Sequence, residues 1–288
     1  MLKYLNFRLL LLVVSLVAAA IGYRLMFLDH VPVAWSNPAE DMSFARFVPL
    51  FSVYVLYREL PRIRAALGEP SAWGLLPLAF FLFVGFLGIR GHQVRFEIVG
   101  FAGLIFSLVW SFYGWRAARL FAFPCAFLLF CMPLATYLDI VTVHLRLMSV
   151  SVAYGTARGL GIEIVRQGTM LTSPTGAFSI DVASPCSGIR SLFALMALTA
   201  GYAYFNQPTW FRRGLLFALS IPLAVVGNVA RILSIVLVAA VCDASFATGF
   251  YHDYSGYVVF AVAVLLMVSC AGAINWVSER MEEKWRRN

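Results

Sequence analysis

Three residues of this sequence, Cys186, Arg231 and His252, are of types that packing alone does not explain. Cys186 stands in Ser184-Pro185-Cys186-Ser187-Gly188-Ile189-Arg190-Ser191, where a polar, strand-like stretch meets a long apolar run. Ser184 suits a helix N-cap and Pro185 the first helical position. Cys186 then falls in the first turn, where the positive end of the helix macrodipole favours the nucleophilic thiolate. Free N–H groups of that turn are suited to holding an oxyanion. Arg190 lies one turn along on the same face, and Ser187 and Arg190 are supporting candidates. Two plainer roles stand beside this one: a small buried hydrophobe, or a disulfide with Cys242.

Arg231 lies inside an apolar run, where a charge costs about 2.5 kcal/mol or more and is rarely idle. Asn228, three positions earlier, shares its helical face. In acyl transfer such an arginine would stabilise a tetrahedral oxyanion or grip a carboxylate. The alternatives are an ion pair with a buried acid such as Asp181, or snorkelling to headgroups. His252 stands in Phe250-Tyr251-His252-Asp253-Tyr254-Ser255-Gly256, read as a short loop. Near a thiolate it would serve as general base and then as general acid to a leaving amine. Asp253 would point elsewhere. His30, His92 and His144 read as ordinary surface residues.

The elements that must position these residues follow from composition. Of 288 residues, 61% are hydrophobic and 12% charged, with mean hydropathy +0.84; a soluble domain carries about a quarter charged residues. The apolar residues fall in runs long enough to cross about 30 Å of hydrocarbon, and such runs must be helical. Eight spans are expected, at 9–23, 44–57, 71–89, 98–115, 120–138, 189–205, 214–241 and 256–276. The first run also resembles a signal peptide, with Ala18-Ala19-Ala20 a conceivable cleavage site. Lys3, Arg8, Arg58, Arg62, Arg64, Arg116, Arg119, Arg212, Arg213, Arg280, Lys284, Arg286 and Arg287 all fall on one side of this map. By the positive-inside rule that side is cytoplasmic, with both termini on it and Cys186, Arg231 and His252 on the outer side. Trp73, Trp115, Trp210 and Trp276 fall near the inner boundary, as an aromatic belt should. The net charge of +8 is thereby a matter of membrane orientation rather than of nucleic-acid binding.

Residues 139–185 differ in character. The stretch 140–160 reads as an interfacial amphipathic helix or a tilted extra span. After it, short β-branched segments at 162–166, 169–172 and 178–182 are broken by Gln167-Gly168 and Ser173-Pro174-Thr175-Gly176. Those breaks are turn chemistry, so a small hairpin or three-stranded meander is expected outside the membrane, just before Cys186. Cys125, Cys131 and Cys270 lie in apolar runs as small core residues. No zinc-type cluster, P-loop or GxGxxG is present.

Pro185-Cys186-Ser187-Gly188-Ile189-Arg190-Ser191, then Asn228-Val229-Ala230-Arg231-Ile232, then His252 followed by Gly256, resemble the exosortase/archaeosortase family in order and spacing. Ser184-Pro185 departs from the acidic residue and alanine common at that point. The resemblance covers about residues 120–273. It makes 1–288 one integral membrane domain: generic spans over 1–119, a family-like catalytic core over 120–276 and a charged cytoplasmic tail over 277–288. The implied fold is all-α and polytopic, with the small extracytoplasmic sheet. The implied activity is that of a cysteine transpeptidase of the plasma (inner) membrane, acting on exported proteins that end in a sorting signal: a short motif, an apolar span and a basic cluster. Cys186 would attack, His252 handle the proton and Arg231 stabilise the oxyanion, with no cofactor or metal. Besides that signal, the partners implied are membrane lipid and an acceptor amine of unknown identity. The rivals are a purely hydrolytic peptidase, an anion transporter built on Arg231, and an envelope-assembly scaffold.

Overall fold

A computed structural model describes residues 2–37, 42–134, 137–181, 189–242 and 244–287. They form two compact units, Met1–Thr136 and Tyr137–Asn288. The protein is a helical membrane protein with one small sheet.

The first unit comprises α1 (Leu2–Gly22), a π-helical turn (Met26–His30), α2 (Val31–Ser36), α3 (Phe47–Ala66), α4 (Leu75–Gly91) and α5 (Val94–Phe127). Helices α4 and α5 pair through small residues: a Cβ on Gly100 would lie 2.5 Å from Cα of Gly85. Such contact between backbones replaces the hydrophobic drive that lipid removes. Within α5, Gly114 (φ 78°, ψ 174°) breaks the helical backbone in a conformation closed to L side chains. The turn expected around Arg116 and Arg119 is therefore this one-residue break, and helix resumes through both arginines.

Two other loop assignments shift. Residues 29–36 are helical rather than loop, with Met26 and Val31 buried. Helix α3 continues through Arg58, Arg62 and Arg64, because Glu59 and Ile63 give that stretch a buried face. His30 is no ordinary surface residue. Its Nδ1 lies 2.7 Å from Oε1 of the fully buried Glu97, and its ring packs edge-on against His92.

Among the described residues, four helical stretches are long and apolar enough to span: Ala72–Gly91, Val94–Cys131, Trp210–Val241 and Gly249–Glu283. Phe7–Gly22 and Met26–Ser36, bent by 55°, would make a fifth. The eightfold count is not reached by this measure. Gly114 divides one 38-residue stretch, α3 carries Arg58, Glu59, Arg62 and Arg64, and the helix starting at Ile189 is diluted by Arg190 and Asn206 at its ends.

The second unit comprises α6 (Asp139–Gly159), strands β1 (Val165–Gln167), β2 (Met170–Thr172) and β3 (Ser179–Asp181), then α7 (Ile189–Asn206), α8 (Trp210–Val241), the single turn α9 (Ala244–Phe246), a π-helical turn (Ala247–Tyr251) and α10 (His252–Arg287). Helix α8 is the hub, packing on α6, α7 and α10. The expected meander is present, antiparallel in the order β1-β2-β3. Gln167 pairs with Met170, so Gly168-Thr169 is a two-residue turn, and Gly168 takes the positive φ (62°) that its first position demands. Ser173-Pro174-Thr175-Gly176 forms the second turn, closed by the Gly176 amide donating to the Ser173 carbonyl at 3.0 Å.

This sheet is an anchored lid on the helices. Leu171, paired with Ile180, is fully buried against Val150, Ala153 and Ala157 of α6 and Ile232, Ile235 and Val236 of α8. In α6 a stripe of buried Val150, Ala153 and Ala157 at three- and four-residue spacing sets the face, which its polar residues alone did not define. Arg166 ties β1 to α6, its Nη2 donating to the Leu147 carbonyl at 3.4 Å. We expect Leu171→Ala to lower stability by about 2–5 kcal/mol, and Met170→Ala, on the exposed face, to change it little. Chemical unfolding in detergent reads the difference; equal effects would mean that the sheet is not docked.

Candidate functional site

Helix α8 is capped by Thr209, whose Oγ1 accepts from the Arg212 amide at 3.3 Å. Near its other end the three-residue spacing of Asn228 and Arg231 puts both on one face. Asn228 is buried and Arg231 half-buried. Arg231 turns its guanidinium toward the start of α10: Nη2 donates to the His252 carbonyl at 3.1 Å, and Nε to Ser255 Oγ at 3.4 Å. Ser255, itself buried, donates from Oγ to the same His252 carbonyl at 3.1 Å.

His252 was expected in a loop. It is instead the first residue of α10, which runs unbroken through the charged tail to Arg287. Residues 244–251, with little turn chemistry, wind into α9 and the π-helical turn. The bend falls at Gly249 (φ −96°, ψ −106°). The histidine backbone is thereby held in a helix rather than in a free loop. Beside it, exposed Phe250 and Tyr254 rings pack with centroids 4.5 Å apart.

A narrow cavity of about 30 Å³, room for a water or two, lies among α7, α8 and α10. Its walls include Ser191 and Leu195 of α7, Asn228 and Arg231 of α8, and Gly256 and Val259 of α10. Gly256 lets the guanidinium in: a Cβ there would sit 3.2 Å from Cζ of Arg231. At the opposite end of the α8–α10 pair a second arginine makes a matching clamp. Arg212 Nη2 donates to Ser278 Oγ and, at 3.0 Å, to Glu282 Oε1. Its neighbour Arg213 covers the rings of Tyr204 and Trp210.

Of the candidates from sequence, the fold brings the Arg231 guanidinium to the backbone carbonyl of His252 and sets Asn228 beside Arg231 on the cavity wall. Cys186 and Ser187 lie outside the described residues, as does the side chain of Arg190, whose backbone opens α7. Asp181 accepts a hydrogen bond from Thr169 Oγ1 at 3.2 Å, while the described partners of Arg231 are on α10. Cys242 is a free, exposed thiol. Among the described residues no group of three His, Cys, Asp or Glu could hold a metal ion. Sequence reasoning missed Ser255 and Ser191. For Ser255 the signal was present: three residues after His252, it shares that residue's helical face.

The family model for transmembrane exosortases matches residues 35–269 of this chain. The match begins well before the motif-bearing part and extends into both compact units. No curated protein and no solved structure matches it.

Proposed function

Since the chain belongs to the transmembrane exosortase family, we propose that it is a membrane cysteine peptidase or transpeptidase that removes the C-terminal sorting signal of exported proteins. The observation that carries this reading is the contact between Arg231 and His252, 21 positions apart in the chain, at a cavity whose wall includes Ser191, five residues after Cys186. The guanidinium and the histidine's backbone carbonyl meet beside a cavity that Ser191, near the start of α7, also lines.

In the proposed reaction the Cys186 thiolate attacks the scissile carbonyl carbon, and the carbonyl electrons move onto oxygen. Arg231 still has guanidinium N–H groups beyond the two engaged with α10, and these stabilise that oxyanion. The oxyanion collapses, the C–N bond breaks, and protonated His252 gives its proton to the departing amine. The acyl group remains on sulfur as a thioester. An acceptor amine or water then attacks it, losing its proton to His252, and the thiolate departs. By the positive-inside rule Arg212, Arg213 and the α10 tail lie on the cytoplasmic side, as do Lys3 and Arg8 near the N-terminus, so in this reading the site faces the outer side of the inner membrane and both termini lie inside.

The test is co-expression with a tagged exported protein ending in a short motif, an apolar span and a basic cluster. The expected result is loss of that tail, with cleavage on the outer side of the span. Mass spectrometry of the new C-terminus then distinguishes an amide, from transfer, from a free acid, from hydrolysis. A substrate that stays intact with well-inserted enzyme present would overturn the proposal.

A further inference from the structure

We infer that Ser255 and Gly256 are positioning residues of this site: together they seat the Arg231 guanidinium, and through it hold the His252 end of α10 in register with α8. The inference deepens the reading above and rests on it. Neither residue is assigned a chemical step.

Three observations converge. First, one hydroxyl closes a small ring. Ser255 Oγ accepts from Arg231 Nε and donates to the His252 carbonyl, which also accepts from Arg231 Nη2. The arginine is thus held at two atoms, Nε and Nη2, and the planar fork can satisfy both bonds only in one orientation. Second, Gly256 is the floor of the seat. A methyl group there would stand 3.2 Å from Cζ, 3.4 Å from Nη2 and 3.5 Å from Nε. The closest of these contacts would push the guanidinium by a few tenths of an ångström out of its seat. Third, the seat is buried: Ser255 is only 3% exposed, so water does not replace its hydroxyl freely. The donors that Arg231 does not spend on α10 are the ones left for the cavity shared with Asn228 and Ser191. Fixing the two engaged atoms therefore also fixes the direction of the free ones.

A positioning role predicts a loss in turnover rather than in binding. We expect Ser255→Ala and Gly256→Ala each to lower kcat about tenfold, the scale of one lost buried hydrogen bond, with KM unchanged. Ser255→Thr keeps the hydroxyl. Ser255 borders an apolar groove of about 430 Å³ between α8 and α10, which accommodates the added methyl, and this variant should retain most activity. The Ser255→Ala/Gly256→Ala double variant should be little worse than the poorer single one, because both act on one guanidinium. Ser269→Ala, whose hydroxyl bonds locally to the Leu265 carbonyl on the same helix, serves as the unchanged control.

The assay is tail removal from the tagged substrate, per mole of inserted full-length enzyme, with Cys186→Ala in parallel. The inference alone is overturned if Cys186→Ala is dead while both single variants keep wild-type kcat. It is equally overturned if the losses lie in KM, if threonine is as poor as alanine, or if the two effects multiply. An active Cys186→Ala would instead remove the cysteine mechanism itself, and the seat would lose its purpose with it.

Discussion

Cys186→Ala is expected to reduce tail removal to background, a fall of about 10⁶-fold if the cysteine is the covalent nucleophile. None of the described side chains lining the Arg231 cavity is a thiol; its polar walls are Ser191, Asn228 and Arg231. Cys186→Ser should be nearly as inactive. A serine hydroxyl ionises far less readily than a thiol at neutral pH, so it is the poorer nucleophile. Immunoblotting for the substrate's tail, with enzyme level followed in the same membranes, reads the outcome. Continued tail removal by the alanine variant would exclude thiol catalysis. The free thiols among the described residues are Cys125 and Cys131, buried in the first unit, Cys270, half-buried in α10, and Cys242, exposed at the C-terminal end of α8.

Arg231→Lys is expected to lower kcat by about 10²–10³, the cost of removing one oxyanion donor from a preorganised site, although positive charge is retained. A lysine ammonium is a point donor on a flexible stem. It cannot bond the His252 carbonyl and Ser255 Oγ in the fixed geometry of the guanidinium while still presenting donors to the cavity. Arg231→Gln, without charge, should be at least as poor. Both variants should insert normally, because α8 stays long and apolar and its packing on α6 and α7 uses Ile232, Ile235, Val236 and Ala224 rather than the arginine. Near-wild-type kcat in Arg231→Lys would mean that charge alone suffices, and the fork geometry would be irrelevant to catalysis.

What the sequence made legible follows from the kind of signal each feature leaves. The sheet was readable because β-branched segments and turn residues alternate at short range; Gly168 and Gly176 sit where positive φ is required. That Arg231 must find partners was readable because a charge in an apolar run is rarely idle. The exact partners were not, since they are a backbone carbonyl and a serine rather than an opposite charge. Element ends were the weakest part. Apolarity marks where a helix is greasy, not where it stops, so α10 was begun late and ended early, and α3 was cut at its first arginine. His30 and Glu97 escaped notice because 67 positions separate them and each falls at the edge of an apolar run rather than inside one. The expected eight spans are not reached partly because α5 can be drawn as one helix or two: Gly114 alters the backbone without altering the hydropathy.

The two arginine clamps on α8 have a metric consequence. Arg212 and Arg231 are nineteen positions apart, roughly 28 Å along a helix rising 1.5 Å per residue, and the oily interior of a bilayer is about 30 Å thick. The rod between them is thus a depth gauge whose end stops are guanidinium groups fastened to the neighbouring rod. Sliding α8 one turn in either direction would draw one stop into the oil or strip it from its fastening. In the proposed reading the reaction at the Arg231 stop is thereby held at a constant height above the membrane midplane, where a substrate anchored by a span of ordinary length would present the peptide just outside that span.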